Sequence, residues 1–357
     1  MPEIPDSDRT EALQAEVRAA LADREPLAVR GGGTKHFYGR EGGGRPLDVG
    51  GHSGVVSYEP TELVVTVRAG TRLAELEALL AAHGQQLACE PPHFGAAATV
   101  GGMVAAGLAG PRRPWGGAVR DAVLGARVLN GAGEVLSFGG EVMKNVAGYD
   151  LSRLMAGSLG TLGVLLEVSL KVLPRPAAER TRVLEVDAST ALARLARWGR
   201  QPLPITGAAH LEGRLHLRLA GNEAAVAEAA ERLGGEEPAG GPEFWADLRE
   251  QRLDFFVGEA PLWRVSVPPA TPPLDLDAPQ LIDWGGAQRW VRGDVPDEVV
   301  RVAAAEAGGH AARFRGGDRS GEVFAPLSGP LLTVHKTLKR ALDPHGLLNP
   351  GRMYGAL

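Results

Sequence analysis

Three stretches, VRGGGT at 29–34, TVGGMVAAGLAG at 99–110 and GSLGTLGV at 157–164, decide how the rest of this chain is read. LAVR at 27–30 has the pattern of a short strand and runs directly into Gly31, Gly32, Gly33 and Thr34. Consecutive glycines let neighbouring N–H groups converge on one point, a nest suited to phosphate oxygens, although a plain surface turn uses the same residues. The run is neither G-x-G-x-x-G nor a P-loop, because no Gly-Lys-Ser/Thr follows at the required spacing. Thr99 has the chemistry of an N-cap. Val100, Gly101 and Gly102 after it, with Ala105 and Gly107 a turn further on, offer free N–H groups and no bulky side chains, a place where a pyrophosphate can touch backbone. A small-residue helix packed on another helix would read the same way. The third stretch, with Gly157, Ser158, Gly160, Thr161, Gly163 and Val164, is a glycine-laced turn entering a buried strand. It has room for an extended ligand and a Val164 amide for an adenine edge; a bulged strand entry is the structural alternative. Three such loops with no Walker or Rossmann signature point to a long, diphosphate-bridged cofactor.

Outward from these loops, residues 9–22 predict an amphipathic helix behind an Asp8 cap. VVSYE at 55–59 and LVVTVRA at 63–69 predict strands, and Thr71 a cap for a helix carrying Leu73, Leu76, Leu79 and Leu80. This opening alternation predicts a small parallel sheet covered by helices. AVLGARVL and EVLSF, joined by residues 130–133, predict a hairpin. Asp150 is expected to cap a short helix, and Thr161 to Leu173 to form a long apolar strand. Pro174-Arg175-Pro176 then breaks the pattern. Beyond it, strands alternate with charged amphipathic helices to about residue 322, the texture of an α+β unit on a mostly antiparallel sheet. The expected organisation is a cofactor domain at 1–175, an α+β cap domain at 176–322, and a C-terminal helix and tail at 323–357 that returns to the first domain.

Composition narrows the function. The 357 residues carry 38 Lys+Arg against 43 Asp+Glu, a formal net charge of −5, with 44% hydrophobic residues. That balance speaks against a nucleic-acid or anionic-membrane binder, which needs a positive field. Glycine, at 49 residues, is about twice its ordinary share. Cys89 is the only cysteine, so no iron–sulfur cluster or four-cysteine zinc site is expected, and the chain reads as intracellular. The start, MPEIPDSDRTEA, lacks the basic and apolar regions of a signal peptide. Residues 91–111 carry no charge but too many small residues and prolines for a membrane span.

Taken together, the ordered run from VRGGGT through TVGGMVAAGLAGPRRPW and VMKNVAGYDLSRLMAGSLGTLGV to KVLPRP resembles the FAD-binding domain of the vanillyl-alcohol oxidase/p-cresol methylhydroxylase (PCMH-type) family. Within it, the chain is most similar to the FAD-binding subunits of bacterial glycolate oxidases, whose tail DPHGLLNPGRMY also resembles. The resemblance implies a PCMH-type α+β fold of two subdomains. It also implies that Gly31, Gly32, Gly33 and Thr34 form the first pyrophosphate loop. Pro91, Thr99, Val100, Gly101, Gly102, Ala105 and Gly107 would form the second contact. Gly157, Ser158, Gly160, Thr161, Gly163 and Val164 would line the adenosine end. Relatives that attach FAD covalently use a histidine where this chain has Thr34, with His36 displaced by two, so the FAD is expected to be non-covalent.

The metal-binding H-P-x-x-x-x-G-D-G-N-x-H string of the related catalytic dehydrogenases is absent. His210 and His216, six apart around Gly213, could face each other across a hairpin; without a carboxylate partner no metal is expected. Arg112 and Arg113 read as a solvated loop or as groups facing flavin or a partner. Arg313 and Arg315 read as one sheet face, with His310 nearby, and no catalytic base is assigned. The implied function is the FAD-binding subunit of a multi-subunit glycolate (2-hydroxy-acid) oxidase. Its partners would be a larger flavin subunit and an iron–sulfur subunit, in the cytoplasm and at the inner membrane face through those partners. A free-standing FAD oxidoreductase of this fold, or a scaffold subunit with a vestigial flavin site, are the alternatives.

Overall fold

The computed structural model describes residues 4–140 and 150–357. Residues 142–149 of the VMKNVAGYD run therefore lie outside the described residues. The chain divides into two compact units. The first comprises residues 1–108, 118–175 and 319–357; the second comprises 109–117 and 176–318. One division falls between Arg175 and Pro176, beside the proline break. The expected continuous span 1–175 is interrupted by residues 109–117, and the chain re-enters the first unit at Arg319 rather than at 323.

In the first unit five of the described strands form an antiparallel sheet in the order Val55–Glu59, Val64–Arg68, Val164–Lys171, Val123–Leu129, Val135–Gly139. Val65, Val67, Val128, Leu166 and Leu170 are buried in its core, together with Leu73, Leu76 and Leu80 of the helix Leu73–Ala82. Among the described residues, parallel pairing is found at Leu27–Arg30, with Arg45–Asp48 on one side and a bridge to Leu348 on the other, so the expected helix-covered parallel sheet is mainly antiparallel. The reason is local. Pro60–Glu62 turns the chain tightly, with Leu63 at φ +57°, and a connection that short can join only antiparallel neighbours. The hydroxyl of Thr71 serves Gly54, donating to its carbonyl at 3.1 Å and accepting from its amide at 3.0 Å, so it does not cap the following helix. Asp8 accepts from the Thr10 amide at 2.9 Å, one residue before the position flanking the helix Thr10–Asp23. Asp150 caps as its chemistry suggests, accepting from the Arg153 amide at 3.2 Å.

The second unit is built on a seven-stranded antiparallel sheet in the order Ala178–Glu185, Arg214–Gly221, Ile205–Leu211, Gln280–Asp283, Gln288–Arg292, Leu262–Ser266, His310–Arg315. Helices Ala188–Trp198 and Glu223–Leu233, capped by Asp187 and Asn222, bury Leu195, Trp198 and Val226 against Leu215, Leu217 and Leu219. His216 pairs with Ala209 and His210 with Leu215, so the two imidazoles occupy opposite faces and cannot share a ligand. His216 instead stacks on Phe244, with ring centroids 3.8 Å apart. Arg112 and Arg113 are packed within this unit, not on a solvated loop. The Arg112 guanidinium lies 3.5 Å from the Glu179 carboxylate, and Arg113 sits 4.4 Å above the Trp284 ring. Arg313 is ion-paired to Asp297 and Arg315 is hydrogen-bonded to Gln251.

Candidate functional site

A strand end, a helix start, a turn and the chain's tail surround one open cleft in the first unit. It encloses about 1060 Å³ of non-protein space, solvent at its mouth included. Gly31, Gly32, Gly33, Thr34, Thr99, Gly101, Gly102, Ala105, Gly160 and Gly163 line it, so members of all three glycine-rich stretches meet there. Pro91, Val100, Gly107, Gly157, Ser158, Thr161 and Val164 stand outside its wall. Val100 and Val164 are fully buried. Gly107 ends the helix Val100–Ala106 at φ +64° and abuts Gly157: a Cβ there would lie 2.9 Å from the Gly157 Cα. Thr161 donates its hydroxyl to the Ser158 carbonyl at 2.7 Å.

The lining glycines are of two kinds. A Cβ on Gly32 would stand 1.5 Å from the Ala97 carbonyl oxygen, one on Gly101 2.7 Å from the Ala69 Cβ, and one on Gly163 2.3 Å from a Val128 methyl. Those three are glycine because the protein closes on them. Gly33 differs: at φ +70°, its absent side chain would meet nothing within 4 Å.

Backbone donors divide the same way. Of the first-turn amides beside Thr99, that of Val100 donates to the Thr71 carbonyl at 2.9 Å and that of Gly101 to the Ala69 carbonyl at 2.7 Å. The Gly102 amide donates to the Thr99 hydroxyl at 3.2 Å. The free N–H groups expected there are therefore all engaged, and that segment contributes a wall stripped of side chains. Among the described residues, by contrast, the amides of Gly31, Gly32 and Gly33 donate to no protein acceptor. A cleft offering unsatisfied donors beside a bare wall fits a diphosphate with organic groups at both ends.

Charge points the same way. Arg30, Lys35 and Arg352 line the cleft, and no Asp or Glu stands among its described lining residues. Burial, with Arg319 and Arg30 nearby, lowers the Arg352 guanidinium to about 10, which leaves it protonated at neutral pH. His36 also lines the cleft. Its pKa is lowered by desolvation first and then by Arg352, Arg30 and Arg319, which favours the neutral ring. Arg352 donates to the carbonyls of His36, Tyr38 and Arg40, and Arg319 to those of His36 and Gly39. The loop after the glycines is thus held by its own oxygens.

Sequence reading assigned no role to Arg30, Lys35, Asn349 or Arg352. The first two flank the glycine triplet and were open to notice. Asn349 and Arg352 lie more than three hundred residues from the loop they meet, and Asn349-Pro350-Gly351 signals only a turn. Among the described residues no three His, Cys, Asp or Glu side chains gather as a metal site, and no helix is long and apolar enough to cross a membrane.

Residues 7–139 match a family described as FAD binding domain. The solved structures of alkyldihydroxyacetonephosphate synthase share this fold. One aligns with a TM-score of 0.66 at 17% identity, covering 95% of this chain and 74% of its own. The fold is thus that of a PCMH-type α+β FAD-binding protein. Along its length the chain is 54% identical to the glycolate oxidase subunit GlcE of Escherichia coli (strain K12), over 99% of this chain and all of that protein, and it belongs to the same family. It is also 35% identical to a D-lactate dehydrogenase of Archaeoglobus fulgidus and 33% identical to the glycolate oxidase subunit GlcD of Bacillus subtilis (strain 168). These matches cover 46% and 44% of this chain, and 37% and 34% of those proteins.

Proposed function

We propose that this chain is the FAD-binding subunit of a multi-subunit glycolate (2-hydroxy-acid) oxidase. The observation that carries the reading is the cationic cleft with unsatisfied glycine amides, in a chain 54% identical from end to end to GlcE. Gly31, Gly32, Gly33 and Thr34 would hold the diphosphate, with Arg30 and Arg352 balancing its charge. Gly101, Gly102 and Ala105 would form the bare wall beside it. Gly160 and Gly163 would border the adenosine end. Bound flavin supplies an acceptor for the hydride equivalent released when an alcohol carbon is oxidised to a carbonyl. With Thr34 in the first loop, the cofactor is held by non-covalent contacts alone.

The proposed partners are a larger flavin subunit and a separate iron–sulfur subunit, with the complex in the cytoplasm and at the inner membrane face through those partners. The single Cys89 supports an exit route on another chain. It is buried, and burial pushes its thiol up to about 12, away from the thiolate a cluster needs. Purified protein should absorb at flavin wavelengths and release the chromophore on acid precipitation. Glycolate should bleach that absorption only after the larger subunit is added. Colourless protein that takes up no FAD would refute the reading, and bleaching of the isolated chain would turn it into a free-standing oxidase.

A further inference from the structure

The tail of the chain does more than pack. The Leu27 amide donates to the Leu347 carbonyl at 2.8 Å and the Asn349 amide donates to the Leu27 carbonyl at 2.9 Å, so Leu347–Asn349 runs as a parallel neighbour of the strand Leu27–Arg30. The next rung of such a ladder would use the Asn349 carbonyl. Its side-chain oxygen takes that place and accepts from the Val29 amide at 2.7 Å. The amide end of the same side chain donates to the Leu159 carbonyl at 2.6 Å. One carboxamide therefore spans from the strand that launches Gly31–Gly33 to the turn that carries Gly160. Both flanking residues hold unusual backbone: Asn349 has φ +42° and Leu159 φ +51°. A Cβ on Gly160 would stand 2.6 Å from the Asn349 side-chain nitrogen, so that glycine makes room for the clamp. Behind it, the Lys339 ammonium donates at 2.7 Å to the Asp343 carboxylate and to the carbonyls of Thr161 and Leu348. Asp343 in turn accepts from the amides of Leu347 and Leu348 at 2.9 and 2.8 Å.

We propose that Asn349 is a positioning residue for the dinucleotide: its side chain fixes the spacing between the diphosphate lip and the adenosine lip of the cleft. The proposal rests on the FAD reading above and deepens it. An alanine at 349 releases both lips at once, whereas an aspartate keeps the acceptor for Val29 and loses the donor for Leu159.

The test is titration of apo-protein with FAD by flavin fluorescence, alongside melting curves of the apo and loaded forms. Asn349→Ala should raise the FAD dissociation constant roughly tenfold to a hundredfold, and Asn349→Asp should raise it as well, because its carboxylate meets the Leu159 carbonyl with no proton to donate. The gap between apo and loaded melting temperatures should narrow in both variants. If both forms of Asn349→Ala melt lower by one common amount with the dissociation constant unchanged, the residue is merely structural and the proposal fails. Should the alanine variant not fold, the nearly isosteric aspartate variant decides: unchanged FAD affinity there overturns the clamp. A parent chain without FAD affinity would defeat the functional reading itself, an outcome distinct from a parent that binds FAD and a variant that binds it equally well.

Discussion

The first and second glycine clusters look interchangeable on paper, and the fold uses them for opposite purposes. At Gly31–Gly33 the backbone donors are unsatisfied and one glycine faces open space. At Val100–Gly102 every first-turn donor is taken by Thr71, Ala69 or Thr99, and Gly101 is pressed against Ala69. Glycine in the first cluster exposes backbone to the cleft. In the second it lets a helix close on a strand while leaving nothing that would protrude into the cleft.

Alanine substitutions sharpen that contrast, and the largest effect lies where packing intrudes on the first cluster. Gly32→Ala drives a methyl into the Ala97 carbonyl, a backbone group that cannot swing aside. A loss of more than about 3 kcal/mol is expected, read as a lower denaturant midpoint or loss of soluble protein. Gly101→Ala meets the Ala69 methyl and should cost about 1–3 kcal/mol, with apo and FAD-loaded melting temperatures falling together. Gly33→Ala should lower apo stability by only about 1 kcal/mol, for its left-handed φ, while weakening FAD binding roughly tenfold or more. Equal falls in apo and loaded stability for Gly33→Ala would erase the distinction between the clusters.

How much of this could be read beforehand depends on the range of the interaction. The glycine triplet, the hairpin of AVLGARVL with EVLSF, the proline break at 174–176 and the cap at Asp150 are local signals, set by dihedral preference and side-chain reach. The state of the Val100 and Gly101 amides is not local. It depends on the carbonyls of Thr71 and Ala69, about thirty residues earlier, and a small-residue helix start reads alike with them or without them. Arg112 and Arg113 show the same limit from the polar side: a basic loop is ordinarily solvated, and only the fold supplies Glu179 and Trp284. The tail's turn sequence was visible, but its partners at Val29 and Leu159 were set by topology.

A smaller effect separates the clusters by charge. Arg30 stands beside the first cluster and near Arg352, whereas Thr99–Gly102 carries no charge. Arg30→Gln should weaken FAD binding by a few-fold and flatten its dependence on salt, because an exposed cation acts on an anion through screened solvent. Gly102→Ala, whose added methyl would meet only the Thr99 hydroxyl at 3.1 Å, should weaken FAD binding but leave the salt dependence unchanged.

The smallest expected effect is the share of the pH dependence that His36 adds beside the first cluster. His36 has a folded-state pKa below its ordinary 6.5, through desolvation and then the guanidinium groups of Arg352, Arg30 and Arg319. Below pH 6.5 the unfolded chain therefore binds more protons at this position than the folded chain. The contribution of neutral His36 to stability is complete above pH 6.5 and is lost as pH falls through the lowered folded value. Apo-protein should lose a modest increment of melting temperature across that window, and His36→Gln should remove the His36 share of it, leaving that of His52, His216 and His310, whose pKa values burial also lowers. A bound diphosphate brings negative charge to the same wall and offsets the guanidinium repulsion, so the increment should shrink when FAD is present. Gly102→Ala alters the neighbouring wall without adding a titrating group and should keep the full acid response in the apo form. An acid response that is identical with and without FAD would place the diphosphate away from His36, and with it away from the loop whose amides stand unsatisfied.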